Sequence, residues 1–434
     1  MPLPDFGKSW RRLGRTIAKH ENVLLAILAV IILTSGGFWY RQFSQKDVSQ
    51  PTVGGTYVEG IVFDSDKKEL NQIIMRLTKT GLLGFSVDGN LESVLTEKWS
   101  VNDDKTEYRL TLIEGIARDE IINVLEQRTD LLGDAAISAD LERDVVIRLV
   151  ASDPSLPLLL TRPMFDYGPY KLGKANDQTT VFSRNTRKGA VAAYINKIIV
   201  HTYPSVADLK SALIQNRIDG AALPTEENIK KYQRYQIDQS KYYAVLFNTN
   251  KTPFRDTLLR QALTNGTAPS SQPFILTASD QDPHKTLAQD LVTKWQSAGA
   301  EVGLDLRPLD EVTSTIGPAR NFQALLIGVD YGSELDPYYI WDSSQVRATG
   351  NNVTGVKDPD VDLLISQVRS TLDVKSRQAT IVKLHQTLVT KGVAMFLTAE
   401  SVQYYQSAKI HFVAPTLPKS SADRFLAAAK WSVK

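Results

Sequence analysis

An uncharged stretch near the N-terminus, Val23–Tyr40, constrains this chain more than any other feature of its sequence. It reads VLLAILAVIILTSGGFWY and carries no charged side chain in 18 positions. As a helix it would be about 27 Å long, close to the thickness of a bilayer core. Its last three residues are aromatic, as is typical of the membrane–water interface. The stretch therefore predicts one transmembrane helix.

Basic residues on one side of this stretch predict its orientation. Five Lys and Arg residues precede it, so we expect residues 1–22 to stay in the cytoplasm and the main domain to lie outside a cell membrane that the chain crosses once. Residues 41–53 are mostly polar and predict a linker. The alternative is a signal peptide cleaved near Thr34–Gly37. No good A-x-A site occurs there, so we expect an uncleaved anchor.

The composition predicts a folded protein with more than one core. The 434 residues are too many for one ordinary core, and 42% of them are apolar. Cysteine is absent, which excludes disulfides, thiolate metal sites, a cysteine nucleophile and a lipid-modified N-terminal cysteine.

The net charge of +2 is unevenly distributed. Residues 1–46 contain seven basic and two acidic side chains, a charge of +5, which leaves −3 for the rest of the chain. A body so close to neutral gives no electrostatic reason to expect nucleic-acid binding.

Strand-like and helix-like patterns alternate through the chain, which predicts an α/β fold with mixed sheets. A hairpin is expected over residues 99–113 and a helix over 121–132. Ser205 and Asp208 predict a capping box at the start of a helix over 205–215. The other elements predicted from the sequence are strands at 56–63, 145–149, 197–203, 274–277, 302–306 and 395–398 and helices at 71–78, 284–298, 359–372 and 376–390.

The segment Asn321–Trp341 combines a buried strand with groups that could bind a ligand. Its apolar run, Ala324–Val329, ends at Asp330 and is followed by Tyr331 and an acidic, aromatic segment. In open α/β sheets, ligands bind beyond the carboxyl ends of strands, where this carboxylate could hold a cationic group. The alternative is that Asp330 or Ser333 caps a helix entered through Pro337 and that the aromatic side chains belong to the core.

No pattern of catalytic residues is apparent. The five histidines have no metal-ligand spacing, and the sequence contains no nucleophile elbow, phosphate-binding loop or dinucleotide-binding motif. Paired carboxylates of the glycosidase kind are often far apart in sequence, and nothing here pairs two of them. We therefore expect neither an enzyme nor a bound metal or cofactor.

Several motifs, in order, resemble the family 5 extracellular solute-binding proteins, the peptide- and nickel-binding components of ABC importers. The segment Phe247–Leu263 is similar to the family's "FN…PF.D.RVRQAL", and Asp166–Leu172 (DYGPYKL) is similar to "GTGPYKL". The further segments that carry the resemblance are 54–60, 84–104 (like "DGKLVPDLAESWEVSDDG"), 184–185, 198–220, 321–341 (like "GWGADYPDP"), 350–362 and 391–398. Two segments depart from the pattern, because 114–132 barely matches and 264–272 lacks the family's long loop.

The resemblance implies a two-lobed, type II periplasmic-binding-protein-like fold preceded by the transmembrane helix. The first lobe would comprise residues 52–243 and 403–434, and the second 244–402. A ligand would bind between the lobes and close them on a hinge. By resemblance, Asp330 takes the amine of a peptide ligand, and Tyr331, Glu59, Asp336 and Tyr338 are the other expected ligand-binding residues.

The expected function is capture of an oligopeptide-like or other small solute outside the membrane for an ABC permease, by a monomer. The alternative is a tethered sensor or assembly protein that uses a degenerate solute-binding fold. The protein anchor and the shortened loops around the cleft favour this alternative.

Overall fold

The computed structural model describes residues 52–64, 67–86, 89–267, 272–331, 335–414 and 420–434, without the side chains of 238–241 and 398–400. The chain divides into two compact units, Met1–Thr52 and Val53–Lys434, and the elements below belong to the second unit. Among the described residues, no helix has the length and apolar character needed to cross a membrane, and the predicted anchor at 23–40 lies outside them.

Strands and helices alternate along this unit. The strands are β1 (Gly54–Val62), β2 (Leu83–Phe85), β3 (Leu91–Ser93), β4 (Thr96–Val101), β5 (Glu107–Leu112), β6 (Ala136–Ala139), β7 (Asp144–Arg148), β8 (Tyr170–Ala175), β9 (Thr179–Arg184), β10 (Ile195–Tyr203), β11 (Gly220–Leu223), β12 (Tyr232–Phe247), β13 (Phe274–Ser279), β14 (Val302–Arg307), β15 (Ala324–Asp330), β16 (Ala394–Ser407), β17 (Ile410–His411) and β18 (Ser432–Val433). The α-helices are α1 (Lys68–Thr78), α2 (Arg118–Glu126), α3 (Thr129–Leu132), α4 (Leu156–Leu159), α5 (Val206–Ile214), α6 (Thr257–Thr264), α7 (His284–Ser297), α8 (Leu309–Glu311), α9 (Tyr338–Trp341), α10 (Pro359–Ser370) and α11 (Val374–Thr390). A π-helical turn, Val312–Ile316, follows α8, and the 3-10 helices are Ser343–Gln345 and Ser421–Lys430, the latter called the C-terminal 3-10 helix below.

Side-chain caps fix where several helices begin. The Ser205 hydroxyl accepts a hydrogen bond of 3.2 Å from the Asp208 amide, so the predicted cap of α5 is confirmed. The Asp358 carboxylate accepts from the amides of Asp360 and Val361 at the start of α10. The Asp373 carboxylate accepts from the Ser376 amide at the start of α11. Caps of this kind satisfy backbone donors that have no partner inside the helix.

A mixed ten-stranded sheet runs through the unit in the order β14-β13-β15-β12-β16-β11-β1-β10-β9-β8. β1 is parallel to both β10 and β11, and β13 is parallel to both β14 and β15. The two long strands β12 and β16 pair antiparallel in the middle. β4, β5, β7 and β6 form a separate four-stranded sheet. The predicted α/β fold with mixed sheets is therefore confirmed.

The buried apolar residues form five clusters that β12 and β16 separate into two groups. Two clusters draw their buried residues from 243–394, around α6, α7, α10 and α11. The other three draw theirs from 57–229 and 405–431. β12 pairs with β16 along most of its length and also with β15 over residues 241–247, so it joins the two groups through one sheet. The exact lobe boundaries of the sequence analysis stay a prediction.

Candidate functional site

Asp330 is the last residue of β15, and its side chain is exposed. The strand is buried along Ala324–Leu326 and pairs with β12 through Phe247↔Ala324 to Lys241↔Asp330. The register places Asp330 where β12 leaves β15 and continues toward the other group of clusters. This is the position beyond a strand's carboxyl end that the sequence predicts for a ligand-binding carboxylate.

The helix-cap alternative is wrong for Asp330. The helix that follows, α9, begins only at Tyr338 and is preceded by Pro337, whose side chain makes no capping hydrogen bond. The carboxylate that binds the Tyr338 amide, at 3.0 Å, belongs to Asp336. Ser333, the other candidate cap, lies outside the described residues.

Tyr331, the next residue, points into the core and is 3% exposed. The indole N–H of Trp341 donates to the Tyr331 hydroxyl at 2.9 Å, and that hydroxyl lies 2.7 Å from Nε2 of His385. His385 in turn stacks on Phe396 with ring centroids 4.0 Å apart. All three polar groups are satisfied if the Tyr331 hydroxyl donates to an unprotonated Nε2. Its role as a wall of the ligand site stays a prediction.

Burial lowers the pKa of His385 to about 4. Since an unfolded histidine titrates near 6.5, the unfolded chain takes up a proton between these two pH values and the folded chain does not. We therefore expect the free energy of unfolding to fall by no more than about 3 kcal/mol as the pH drops from 6.5 to 4. Urea unfolding across this range measures the loss.

The matched variants for this pH prediction are His385→Gln and His411→Gln. His411 lies exposed on β17. The first substitution should flatten the pH dependence of stability, because glutamine keeps an acceptor for Tyr331 but does not titrate. The second should leave the dependence unchanged. An equal slope in all three proteins would contradict the assignment to His385.

Asp336 and Tyr338 surround one guanidinium, that of Arg369 on α10. Nε of Arg369 lies 3.3 Å from Asp336 Oδ2, and the guanidinium carbon lies 4.6 Å from the centre of the Tyr338 ring. Its NH2 group also lies 3.3 Å from Oδ1 of Asp153, in the segment between β7 and α4. Burial raises the pKa of Asp336, and Arg369 opposes the shift. Arg369 thus links the segment after β15 to the part of the chain that carries the four-stranded sheet.

Glu59 on β1 belongs to a different cluster. Its carboxylate is fully buried and lies 2.8 Å from Nε and 2.7 Å from NH2 of Arg424 on the C-terminal 3-10 helix. It also accepts hydrogen bonds from the hydroxyls of Tyr57 (2.5 Å) and Tyr404 (3.2 Å). Burial raises the pKa of Glu59, and the guanidinium of Arg424 opposes the shift. Both oxygens are occupied by the protein itself, so the predicted ligand contact of Glu59 has no support from this geometry.

Arg424 is the buried partner of Glu59, and the sequence motifs do not predict it. Besides Glu59, its guanidinium binds Oε1 of Glu69 at 3.0 Å and the carbonyl of Ser421. Gly220 on β11 packs against the same cluster, where an added Cβ would meet the hydroxyls of Tyr57 and Tyr404. The alternation of small, apolar and charged residues in SADRFLAAAKW is the only signal for this segment in the sequence.

The motif residues that carry the family resemblance hold backbone segments together. Arg260 donates to the carbonyls of Gly392 (2.7 Å) and Phe254. Asn248 donates to the carbonyls of Arg320 and Phe322, each at 3.1 Å. Asn185 donates to the carbonyl of Gly168 at 2.9 Å. These three motif side chains therefore stabilise loops and are not free to bind a ligand.

The structure brings Tyr331, Asp336 and Tyr338 together on one side of α10 and α11, with Asp330 at their edge, and places Glu59 elsewhere. Within the described ranges, no group of three or more acidic or histidine side chains could hold a metal ion. The arrangement has a carboxylate, aromatic rings and an arginine but no paired nucleophile and base. It is suited to non-covalent recognition of a polar solute.

Comparison with known proteins identifies solute-binding proteins as similar to this chain. Residues 159–267 match the middle region of the bacterial extracellular solute-binding proteins, family 5. The glutathione-binding protein GsiB of Shigella boydii is 30% identical over 202 residues, which are 46% of this chain and 33% of the relative. GsiB of Escherichia coli K12 matches over the same shares at the same identity. The match thus spans about one third of the length of these curated relatives.

Solved structures share the fold across nearly the whole described unit. The ABC transporter substrate-binding protein CtaP of Listeria monocytogenes gives a TM-score of 0.68, with 88% of this chain and 100% of that chain covered. The oligopeptide-binding protein AppA of Bacillus subtilis, in complex with a nonapeptide, gives 0.61 with 89% and 100% covered. NikZ of Campylobacter jejuni, in complex with Ni(L-His), gives 0.63 with 87% and 99% covered. Each is 14% identical to this chain, so the likeness concerns the fold.

The fold is thus that of the periplasmic-binding-protein-like solute-binding proteins. Together with the match over residues 159–267 and the GsiB relatives, the comparisons are consistent with a family 5 solute-binding protein. The family resemblance predicted from the sequence motifs is confirmed.

Proposed function

We propose that this chain is a membrane-tethered, extracytoplasmic solute-binding protein that captures an oligopeptide-like ligand and presents it to an ABC permease. It acts as a monomer and recognises its ligand without covalent chemistry. The family to which the comparisons point is one of solute-binding proteins and not of enzymes, which supports the second statement. A mixed peptide library incubated with the protein should accordingly be recovered intact.

The position of Asp330 is the single observation that carries this proposal. Its exposed carboxylate ends a strand of one group of clusters, at the point where β12 continues toward the other group. A ligand amine held there would lie between the two groups of clusters, which are joined by β12 and β16. Closure of two lobes on such a hinge buries a ligand, and a buried ammonium needs a fixed carboxylate.

The relatives narrow the ligand class. GsiB is named for glutathione, and AppA was crystallised with a nonapeptide. Both ligands are peptide-like and bring a charged amine, carboxylate groups and amide groups. Asp330 fits the amine, because its carboxylate is exposed at the end of β15. We therefore propose short peptides, including glutathione, as the solutes to test first.

Membrane attachment through residues 23–40 is part of the proposal. The uncharged run is long enough to span a bilayer, and the basic residues before it predict a cytoplasmic N-terminus. We expect the mature protein to keep residues 1–46 and to sediment with the membrane fraction. N-terminal sequencing of the mature protein checks this, and a start near Gly37 would show that the segment is removed.

The alternative is a tethered sensor or assembly protein with a degenerate binding fold. Two contacts favour it. Glu59 is occupied by Arg424, and Arg369 ties Asp336 to Asp153, a link that would hold the two parts of the chain together without a ligand. A protein of this kind would bind no solute between its lobes.

Mass spectrometry of what co-purifies with the protein separates the two functions. The full chain, purified in mild detergent without refolding and then denatured, should release peptides in near-stoichiometric amounts. The same preparation of Asp330→Asn should release far less, whereas Asp310→Asn, which removes an exposed carboxylate on α8, should release as much as the unmodified protein. No peptide from any of the three, before or after incubation with a peptide library, would favour the alternative.

A further inference from the structure

A second candidate binding site is lined by residues that are distant from Asp330 in the sequence and that lie with the other group of core clusters. A cavity of about 440 Å³ is lined by residues between 76 and 191 and between 414 and 430, with no lining residue from the segment 192–413. It lies between the end of α1, the hairpin β2–β3 and the C-terminal 3-10 helix. Its volume is within the usual range of small-molecule sites, about 300–1,000 Å³.

The inner surface of the cavity is mainly apolar. The side chains that give it this character are Leu83, Phe85, Val94, Ile113, Val191 and Leu426. Leu426 is 51% exposed, although the 3-10 helix that carries it is otherwise held by buried side chains. An exposed leucine at the edge of an apolar cavity is suited to contact the hydrocarbon part of a ligand.

The charged residues around the cavity are predominantly basic. Arg76, Lys79, Arg162 and Lys430 line it against Glu92 and Asp423, so the formal charge of the lining is +2. Asp166, which does not line the cavity, pairs with Lys79 at 2.8 Å and reduces the local excess to +1. Arg76 binds Asp423 at 2.7 Å and is held there, which fixes the 3-10 helix against α1. Lys430 lies 4.0 Å from Glu92, and its side chain is 50% exposed. The lining therefore offers an excess of cationic groups above an apolar floor.

We propose that this cavity binds an amphiphilic organic anion, with an apolar body on the Leu83 side and an acid group near Lys430 and Arg162. Charge complementarity selects the acid group, since an apolar cation of the same size would meet the same excess of positive charge. The site is independent of the proposed peptide site, because no residue of the segment 192–413, which contains Asp330, Asp336 and Tyr338, lines it.

Octanoate and octylammonium are the matched probes, since they differ in the charge of one end. The full chain in phosphatidylcholine nanodiscs would be titrated by calorimetry, with empty nanodiscs as the blank. We expect one octanoate per chain, bound at least tenfold more tightly than octylammonium. Equal binding of the two probes, or no binding of octanoate above the blank, would overturn the proposal.

Three variants test the location. Ala427→Phe should fill the cavity and lower octanoate affinity at least tenfold. The double variant Lys430→Gln with Arg162→Gln should do the same without adding bulk, which keeps the test valid if the phenylalanine impairs folding. Lys434→Gln removes a positive charge from the exposed C-terminus and should change the affinity less than twofold. Unchanged binding in the filled and charge-reduced variants would overturn the location.

A competition arm keeps this proposal distinct from the peptide site. A mixture of short peptides at saturating concentration should not displace octanoate, and Asp330→Asn should bind octanoate as the unmodified protein does. Displacement by peptides would mean that octanoate occupies the peptide site, and would overturn the proposal. If no peptide binds in any assay while octanoate does, the proposed function fails and the cavity assignment stands.

Discussion

Replacing Arg424 by methionine is expected to lower the free energy of unfolding by about 3–5 kcal/mol, the typical cost of leaving one member of a buried ion pair alone. Glu59 would then be a fully buried carboxylate with only the hydroxyls of Tyr57 and Tyr404 to stabilise it. The 3-10 helix would also lose the ion pair between Arg424 and Glu69 and keep only the hydrogen bond from the Ser421 hydroxyl to Glu69. Urea unfolding followed by tryptophan fluorescence measures the change.

Two further variants make this result interpretable. The double variant Glu59→Leu with Arg424→Met removes both charges, so it should be more stable than Arg424→Met alone. Lys67→Met breaks an exposed pair with Asp177 and should cost no more than about 1 kcal/mol. If Arg424→Met lowered the free energy of unfolding no more than Lys67→Met does, the Glu59–Arg424 ion pair would not hold the C-terminal segment on β1.

Replacing Asp330 by asparagine is expected to weaken binding of a free peptide by about 2–5 kcal/mol, as for truncation of one partner of a buried, hydrogen-bonded charge pair. The change keeps the shape of the side chain and removes its charge. The thermal stability of the chain without ligand should hardly change, since Asp330 is exposed at the end of β15.

Asp310→Asn is the matched control for this substitution, because it also removes one exposed carboxylate from the same part of the chain. Its peptide affinity should equal that of the unmodified protein. Equal affinities in all three proteins would remove Asp330 from the site, even if peptides bind.

The local elements could be predicted because their signals are local. The apolar run at 324–329 predicts β15, observed as Ala324–Asp330, and the helices predicted at 359–372 and 376–390 are observed as Pro359–Ser370 and Val374–Thr390. The single helix predicted over 121–132 was wrong, because Arg128 leaves the helical conformation and separates α2 from α3. Periodicity alone gives no sign of this break.

The long strand β12, the part of β16 beyond the predicted strand at 395–398, and the C-terminal 3-10 helix were missed for a different reason. β16 continues from its apolar start into VQYYQS, whose alternation is only meaningful once β11 and β12 lie on either side of it. The C-terminal segment is held by the Glu59–Arg424 pair, whose members are 365 residues apart in the chain. Contacts at such separations decide the structure without leaving a pattern in a single sequence.

The candidate site, like the fold, has features that the sequence predicts and features that it does not. The position of Asp330 at the end of a strand follows from the sequence, and so does the proximity of Asp336 and Tyr338. Two features depend on partners that are distant in the sequence. Glu59 pairs with Arg424 and so is not available to a ligand, and Arg369 links Asp336 to Asp153. The cavity beside the C-terminal 3-10 helix combines segments from both ends of the described unit, so no sequence motif predicts it.

Calorimetry with one short peptide in two forms, with a free and with an acetylated N-terminus, tests the central claim most directly. A peptide drawn from those that co-purify should bind the unmodified chain in its free form and lose about 2–5 kcal/mol of binding free energy on acetylation, because the amine can no longer carry the charge that Asp330 pairs with. The same acetylation should cost little in Asp330→Asn. Equal affinity of the two forms for the unmodified protein would contradict the account of Asp330 as the amine anchor.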